Sequence, residues 1–340
     1  MDICIALDAM GGDHAPTSVI EGAVQAAREF PTTRFILVGR EDRILEELEK
    51  VRFSRDHFQI MAAAEVVGMG EEPAQALRFK KQSSMRLAVD AVKAGKAQAL
   101  VSAGNTGALM ATARFVLRML PGIDRPAIAT LVPSKTGSTL MLDLGANVEC
   151  DAKNLCQFAI MGMIYASQVL HRQQPRVGLL NVGEEDVKGP GVVKEAAELI
   201  RKALGEYFIG NVEGTDIYEG LTDVIVCDGF VGNVSLKSSE GVVSMISHFL
   251  KESMNHSLWS RLGYLMVRPA MNRFKQRLDH RKYNGAMLLG LDGVVVKSHG
   301  SADGYAFAQA IRVARDLVIN QVNQTIKTHI ALHNNGKGTP

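Results

Sequence analysis

Six short segments share one composition: glycine beside asparagine, aspartate or serine, each directly after an apolar run. They are Asp8–Pro16 (DAMGGDHAP), Ser102–Ala108 (SAGNTGA), Leu142–Asn147 (LDLGAN), Asn181–Gly189 (NVGEEDVKG), Cys227–Asn233 (CDGFVGN) and His299–Asp303 (HGSAD). Glycine lets the backbone come close to a ligand and present its N–H groups. A helix N-terminus behind such a loop favours an anion. Asparagine and serine add neutral hydrogen-bonding groups. The chemistry these loops suit is the holding of phosphate or of an oxyanion, with Ser102–Gly107 the clearest cradle; tight βα turns are the plainer alternative. The candidate phosphate or substrate contacts are Asp8, Gly11, Gly12, Asp13, His14, Gly104, Asn105, Thr106, Gly107, Asp143, Asn147, Asp228 and His299.

Two further residues stand out inside the loops. Lys188 lies just ahead of a helix, where an ammonium can neutralise bound phosphate or a developing oxyanion; a solvated surface lysine is the plainer alternative. Asn233 opens the next helix, as an N-cap or as a ligand. His14 and His299 could carry protons near neutral pH or serve as turn donors. Several motifs are absent: G-x-G-x-x-G after the first strand, G-x-x-x-x-G-K-[ST], H-E-x-x-H and G-x-S-x-G. Dinucleotide binding, a P-loop and a covalent serine mechanism therefore have no support.

The elements that must position these loops alternate between short apolar runs and helical patterns. Ile3–Leu7, Phe35–Val38, Ala99–Val101, Val177–Leu180 and Val224–Val226 read as strands. Helices are expected over 16–30, 41–51, 108–120 and 192–204, with Ile44, Leu45, Leu48 and Val51 marking one apolar face. Continuous apolar strands are buried on both faces, so the fold class is α/β with a mostly parallel sheet and right-handed crossovers. Ligands then bind at the carboxyl ends of the strands, and all six loops are expected at one end of one sheet. Residues 1–330 read as one large α/β domain and residues 331–340 as a flexible tail.

Composition narrows the function. The chain has 340 residues, 46% of them apolar and 22% charged, a globular balance rather than a disordered one. Its net charge of +2 excludes a generic nucleic-acid binder. Cys4, Cys150, Cys156 and Cys227 form no C-x-x-C pair, so reduced thiols are expected, with no zinc site and no other metal. The N-terminus lacks a basic n-region and no apolar run spans a bilayer, which points to the cytoplasm.

One stretch departs from the pattern. Residues 251–282 carry no strand signal and read as two helices around Gly263 and Pro269, a hairpin inserted in the domain. This stretch holds eight Lys or Arg against two Asp or Glu, a local +6 that leaves −4 for the other 308 residues. Leu258, Trp259, Leu262 and Leu265 stand among Arg273, Lys275 and Arg277. That composition suits contact with an anionic bilayer or with an acidic protein; a hairpin packed in a dimer interface or in the core, with a solvated charged face, is the alternative.

Taken together, the segments ALDAMGGDHAP, SAGNTGAL, GIDRPA, DLGAN, QFAIMG, PRVGLLNVG, FIGNVE, DGFVGNVSLK and HGS, from Leu7 to Ser301, closely resemble the bacterial acyl-[acyl-carrier-protein]:phosphate acyltransferases of phospholipid synthesis, the PlsX family. The resemblance covers nearly all of the chain except the tail. It implies a Rossmann-like, mostly parallel sheet in an α/β/α sandwich related to isocitrate and isopropylmalate dehydrogenases and to phosphotransacetylases. It implies a homodimer, peripheral at the inner face of the membrane, that moves a long fatty acyl group from acyl carrier protein to inorganic phosphate without a cofactor. The acyl phosphate would feed a membrane glycerol-3-phosphate acyltransferase. The family's catalytic lysine and asparagine fall on Lys188 and Asn233. Rival readings are a short-chain phosphotransacetylase using acyl-CoA, a decarboxylating dehydrogenase of related fold, and a non-enzymatic peripheral membrane scaffold.

Overall fold

A computed structural model describes residues 3–255 and 258–334. The strands are β1 (Ile3–Asp8), β2 (Thr33–Gly39), β3 (Phe58–Ala62), β4 (Ala99–Ser102), β5 (Ala127–Ser134), β6 (Gly137–Leu142), β7 (Val177–Leu180), β8 (Phe208–Val212), β9 (Val224–Val226), β10 (Ala286–Leu289) and β11 (Val294–Lys297). The helices are α1 (Thr17–Glu29), α2 (Glu41–Val51), α3 (Pro73–Phe79), α4 (Ser84–Lys93), α5 (Thr106–Leu117), α6 (Ala152–Gln168), α7 (Gly191–Leu204), α8 (Asp216–Glu219), α9 (Gly229–Asn255), α10 (Leu258–Leu278), α11 (Gly304–Ile319) and α12 (Val322–Asn334).

All strands join one sheet in the order β3-β2-β1-β4-β11-β10-β5-β6-β9-β7-β8. It is mostly parallel and sandwiched between helices, as the apolar strands imply. Alternate residues feed opposite faces: Ile5, Leu7, Val101 and Val296 meet α1, α6 and α11, whereas Ala6, Leu100 and Val295 meet α4 and α5. Each large side chain so buried stabilises the fold by roughly 1.5–3 kcal/mol. Helices α1 and α11 pack closely at Gly22, where a Cβ would lie 2.9 Å from both the Gly304 carbonyl and Phe307 Cβ.

The sheet is not uniform in direction. Strand β10 is antiparallel to both β11 and β5, and β5 is antiparallel to β6. Strands β6, β7, β8 and β9 are parallel among themselves. They therefore run against β1, β2, β3, β4 and β11.

The hairpin differs from the sequence expectation. Its first arm is the end of a 27-residue helix, α9, and its second is α10, which packs on α9. Gly263 and Pro269 lie inside α10 rather than at the break. The side chains of Leu258, Trp259, Leu262, Leu265, Lys275 and Arg277 lie outside the described residues; Arg273 is exposed. At the C-terminus α12 continues through Asn334, so residues 331–334 extend a helix, and 335–340 lie outside the described residues.

Candidate active site

The six loops do follow strand ends, but the reversal of direction separates them. Those after β1, β4 and β11 lie at one end of the sheet, and those after β6, β7 and β9 at the other. This corrects the expectation of a single end. Strands β11 and β6 are three spacings apart, about 14 Å, and β1 and β9 six, about 29 Å. One chain thus carries two constellations.

The first is built of bare backbone. A Cβ on Gly11 would stand 2.6 Å from Asp8 Oδ2 and 2.7 Å from the Gly104 amide nitrogen, so only glycine lets these two loops touch. Gly12, at φ +103°, meets Ala103 and the Gly300 carbonyl, and the Asp13 N–H donates to that carbonyl at 2.8 Å. Beneath them lies Asp8, 1% exposed, accepting from the hydroxyls of Ser84 (2.6 Å) and Ser102 (2.7 Å). Burial pushes its carboxyl up, and the two hydroxyls oppose that shift. Asn105 caps α5, accepting from the Ala108 N–H at 3.0 Å, while its amide donates to the Met69 and Glu71 carbonyls. That side chain positions the helix; Thr106 beside it is exposed, and the Gly104 N–H donates to Ser102 Oγ at 3.1 Å. Gly107 makes room for Pro73 of α3. His14 and His299 are exposed at the rim, His299 Nδ1 lying 2.9 Å from Ser301 Oγ.

The second constellation also has a buried acid at a strand end. Asp143 is fully buried and accepts from the backbone N–H groups of Ile128 (2.9 Å), Ala146 (3.0 Å) and Asn147 (2.7 Å) and from Asn147 Nδ2 (2.9 Å). Asn147 also donates to the Pro126 carbonyl. Both side chains are spent on shaping the loop. Helix α9 begins hard against it: a Cβ on Gly232 would fall 1.9 Å from the Asp143 carbonyl oxygen. Asp228 caps that helix, accepting from the Val231 N–H at 2.8 Å. Asn233 is therefore not the cap; it lies in the second turn, exposed, with its side chain over Gly145.

Lys188 sits in the neighbouring loop, since β7 pairs with β9. Its ammonium is 2.8 Å from Glu185, which raises the lysine pKa and lowers that of the glutamate. Its stem lies across Gly183, where a Cβ would stand 2.4 Å from Lys188 Cδ. Asn181 donates to the Lys188 carbonyl at 3.2 Å and pins the turn. The structure thus gathers Lys188, Asn233, Asp143, Asn147 and Asp228, and separates them from Gly11, Gly104 and His299.

No thiolate stands ready at this end. Burial, with the Asp143 charge adding to it, pushes the Cys150 thiol up to about 12. Among the described residues no group of three or more His, Cys, Asp or Glu could hold a metal ion. The sequence reading missed Lys297, buried under the first constellation. Its signal was a lysine ending a run of three valines directly before Ser298-His299-Gly300.

Residues 3–325 match the family described as fatty acid synthesis protein. A phosphate acyltransferase of Magnetococcus marinus is 54% identical over 336 residues, covering 97% of this chain and 96% of the relative. One of Methylococcus capsulatus is 55% identical over 311 residues, covering 91% of each. Among solved structures, a phosphotransacetylase from Streptococcus pyogenes superposes with a TM-score of 0.63 at 17% identity, covering 94% of each chain. A 4-hydroxythreonine-4-phosphate dehydrogenase from Klebsiella pneumoniae superposes with a TM-score of 0.54 at 12% identity, covering 94% of this chain and 100% of that one. These two share the fold.

Proposed function

The chain belongs to the fatty acid synthesis protein family, and from that premise we propose that it transfers a long-chain fatty acyl group from acyl carrier protein to inorganic phosphate. Transfer of an acyl group to phosphate is the activity named for relatives more than half identical over nearly the whole length, the observation that carries this reading. A phosphate oxygen attacks the thioester carbonyl and forms the new C–O bond. The tetrahedral oxyanion collapses, the C–S bond breaks, and the proton of the hydrogen phosphate ends on the departing thiolate. Phosphate is already anionic at neutral pH, so catalysis is positioning and charge stabilisation. Lys188 offsets the negative charge, and Asn233 donates to the thioester oxygen or orients phosphate. The glycine loops at Gly11–Gly12 and Gly104–Gly107 hold the phosphate.

These groups lie at opposite ends of one chain's sheet, so we place the reaction between two copies. In such a homodimer the Lys188–Asn233 end of one copy faces the Gly11–Gly104 end of the other. The exposed apolar face of α9, with Val234, Val242, Met245 and Phe249 at 48%, 49%, 50% and 55% exposure, supports a second copy as its cover. No described helix is long and apolar enough to cross a membrane. The basic hairpin then serves peripheral contact with anionic lipid at the cytoplasmic face, or with the acidic carrier protein. Delivery to a glycerol-3-phosphate acyltransferase of that membrane fits such a location.

The deciding experiment incubates the protein with palmitoyl-acyl carrier protein and phosphate and looks for acyl phosphate. Faster turnover with palmitoyl-CoA than with the carrier protein would favour the phosphotransacetylase alternative. For the hairpin, Trp259→Asp/Leu262→Asp should abolish sedimentation with anionic liposomes; equal pelleting of variant and wild type rejects lipid contact.

A further inference from the structure

Lys297 closes β11 and is only 8% exposed. Its partner in the neighbouring strand is Ser102 of β4, whose hydroxyl donates to Asp8 of β1. Asp8 shares a face with Ala6, Ser102 with Leu100 and Lys297 with Val295, all on the α4–α5 side. The three side chains therefore form a row across adjacent strands, directly beneath the glycines of the first constellation. The Lys297 ammonium donates to the Ala103 carbonyl at 3.2 Å and to the Ser298 carbonyl. Those carbonyls belong to two different loops, the one after β4 and the one after β11.

The charged groups facing this ammonium are Asp8 from β1 and Asp13 from the loop after it, with His14 and His299 at the rim of the same loops. A buried ammonium is costly unless something compensates it. A dianion entering the glycine cradle would otherwise meet Asp8 and Asp13, two carboxylates with no counter-charge from within the row. Burial pulls the lysine down to about 8, against the pull of Asp8 and Asp13.

We propose that Lys297 is a positioning residue for phosphate: it ties the Ser102 loop to the His299 loop from below and supplies the positive charge that lets a dianion sit above two carboxylates. This rests on the reading of the cradle as the phosphate site. Because the ammonium is charged below about 8 and neutral above it, anion affinity falls as pH rises through that value.

Sulfate is the probe, since it keeps its double charge over this range, whereas phosphate titrates. Calorimetry on the wild-type protein should show sulfate binding weakening about 10- to 100-fold between pH 7 and pH 10, the worth of one charge-assisted interaction. Lys297→Met should bind sulfate weakly at every pH with its melting temperature retained, and Lys297→Arg should keep binding at pH 9. In turnover, Lys297→Met should raise KM for phosphate much more than it lowers kcat. A wild-type sulfate affinity that is flat from pH 7 to pH 10 would overturn the proposal, and that measurement stands even if the methionine variant does not fold. A folded methionine variant with wild-type affinity would overturn it too. A wild-type protein that binds sulfate in the expected manner yet makes no acyl phosphate would sink the acyl-transfer reading and leave this one intact.

Discussion

Lys188 and Asn233 are both exposed at the mouth of their loops, and neither side chain is buried in a structural role. Asp143 and Asn147 are the reverse: removing the Asp143 carboxylate would leave four donors unpaired in a buried place. Substitution at the two types of position should therefore separate activity from folding. Lys188→Ala and Asn233→Ala are expected to lose activity about 100- to 1000-fold, the usual cost of one oxyanion donor, with unchanged circular dichroism and melting. Near-wild-type turnover of folded Lys188→Ala would remove it from the mechanism. The glycine loops were legible as loops at strand ends, because glycine beside Asn and Asp marks tight turns as well as ligand sites. Which way their polar side chains face was not. Asp8, Asp143 and Asn105 carry the same letters a ligand would, yet their oxygens accept from Ser84 and Ser102, from loop amides and from the first turn of α5. Lys297 escaped notice because a lysine is ordinarily solvated.

Strand direction is a property of connections, and at this scale the sequence reading stopped short. Apolar runs placed β1, β4, β7 and β9 correctly, and the 3.6-residue period located α2 and α7. An apolar run does not encode which way it points. A helix between two strands keeps their direction, whereas a tight turn inverts it: Lys135-Thr136 alone joins β5 to β6, and Gly290–Gly293 joins β10 to β11. Those two hairpins reverse half the sheet. Helix α9 was also hard to read, because its cap, Asp228, lies inside a loop that reads as a ligand site. Its face at Val242, Met245 and Phe249 repeats at helical spacing and is half exposed in a single chain. Met245→Asp/Phe249→Asp should convert a dimer to a monomer in light scattering and abolish acyl transfer with it. A fully active monomer would reject both the cover of α9 and the shared site.

For the whole molecule, the opposed strand directions make a sharp prediction about mixed dimers. Lys188→Ala and Gly104→Val, each inactive alone, should regain activity when mixed and allowed to exchange subunits. A mixed dimer then carries one intact site and one doubly damaged site, so random pairing restores about a quarter of wild-type turnover. Constellations acting within one chain would give no recovery. The length of α9 has a consequence of its own. From Asn233 to Asn255 the helix rises about 33 Å. An acyl phosphate is a mixed anhydride, lost to water with time. On the proposed assignment, the helix fixes the distance between the bond-forming step beside Asn233 and the hairpin. Lengthening the helix by whole turns would move the hairpin about 5.4 Å farther out per turn while leaving the rate of acyl phosphate formation alone.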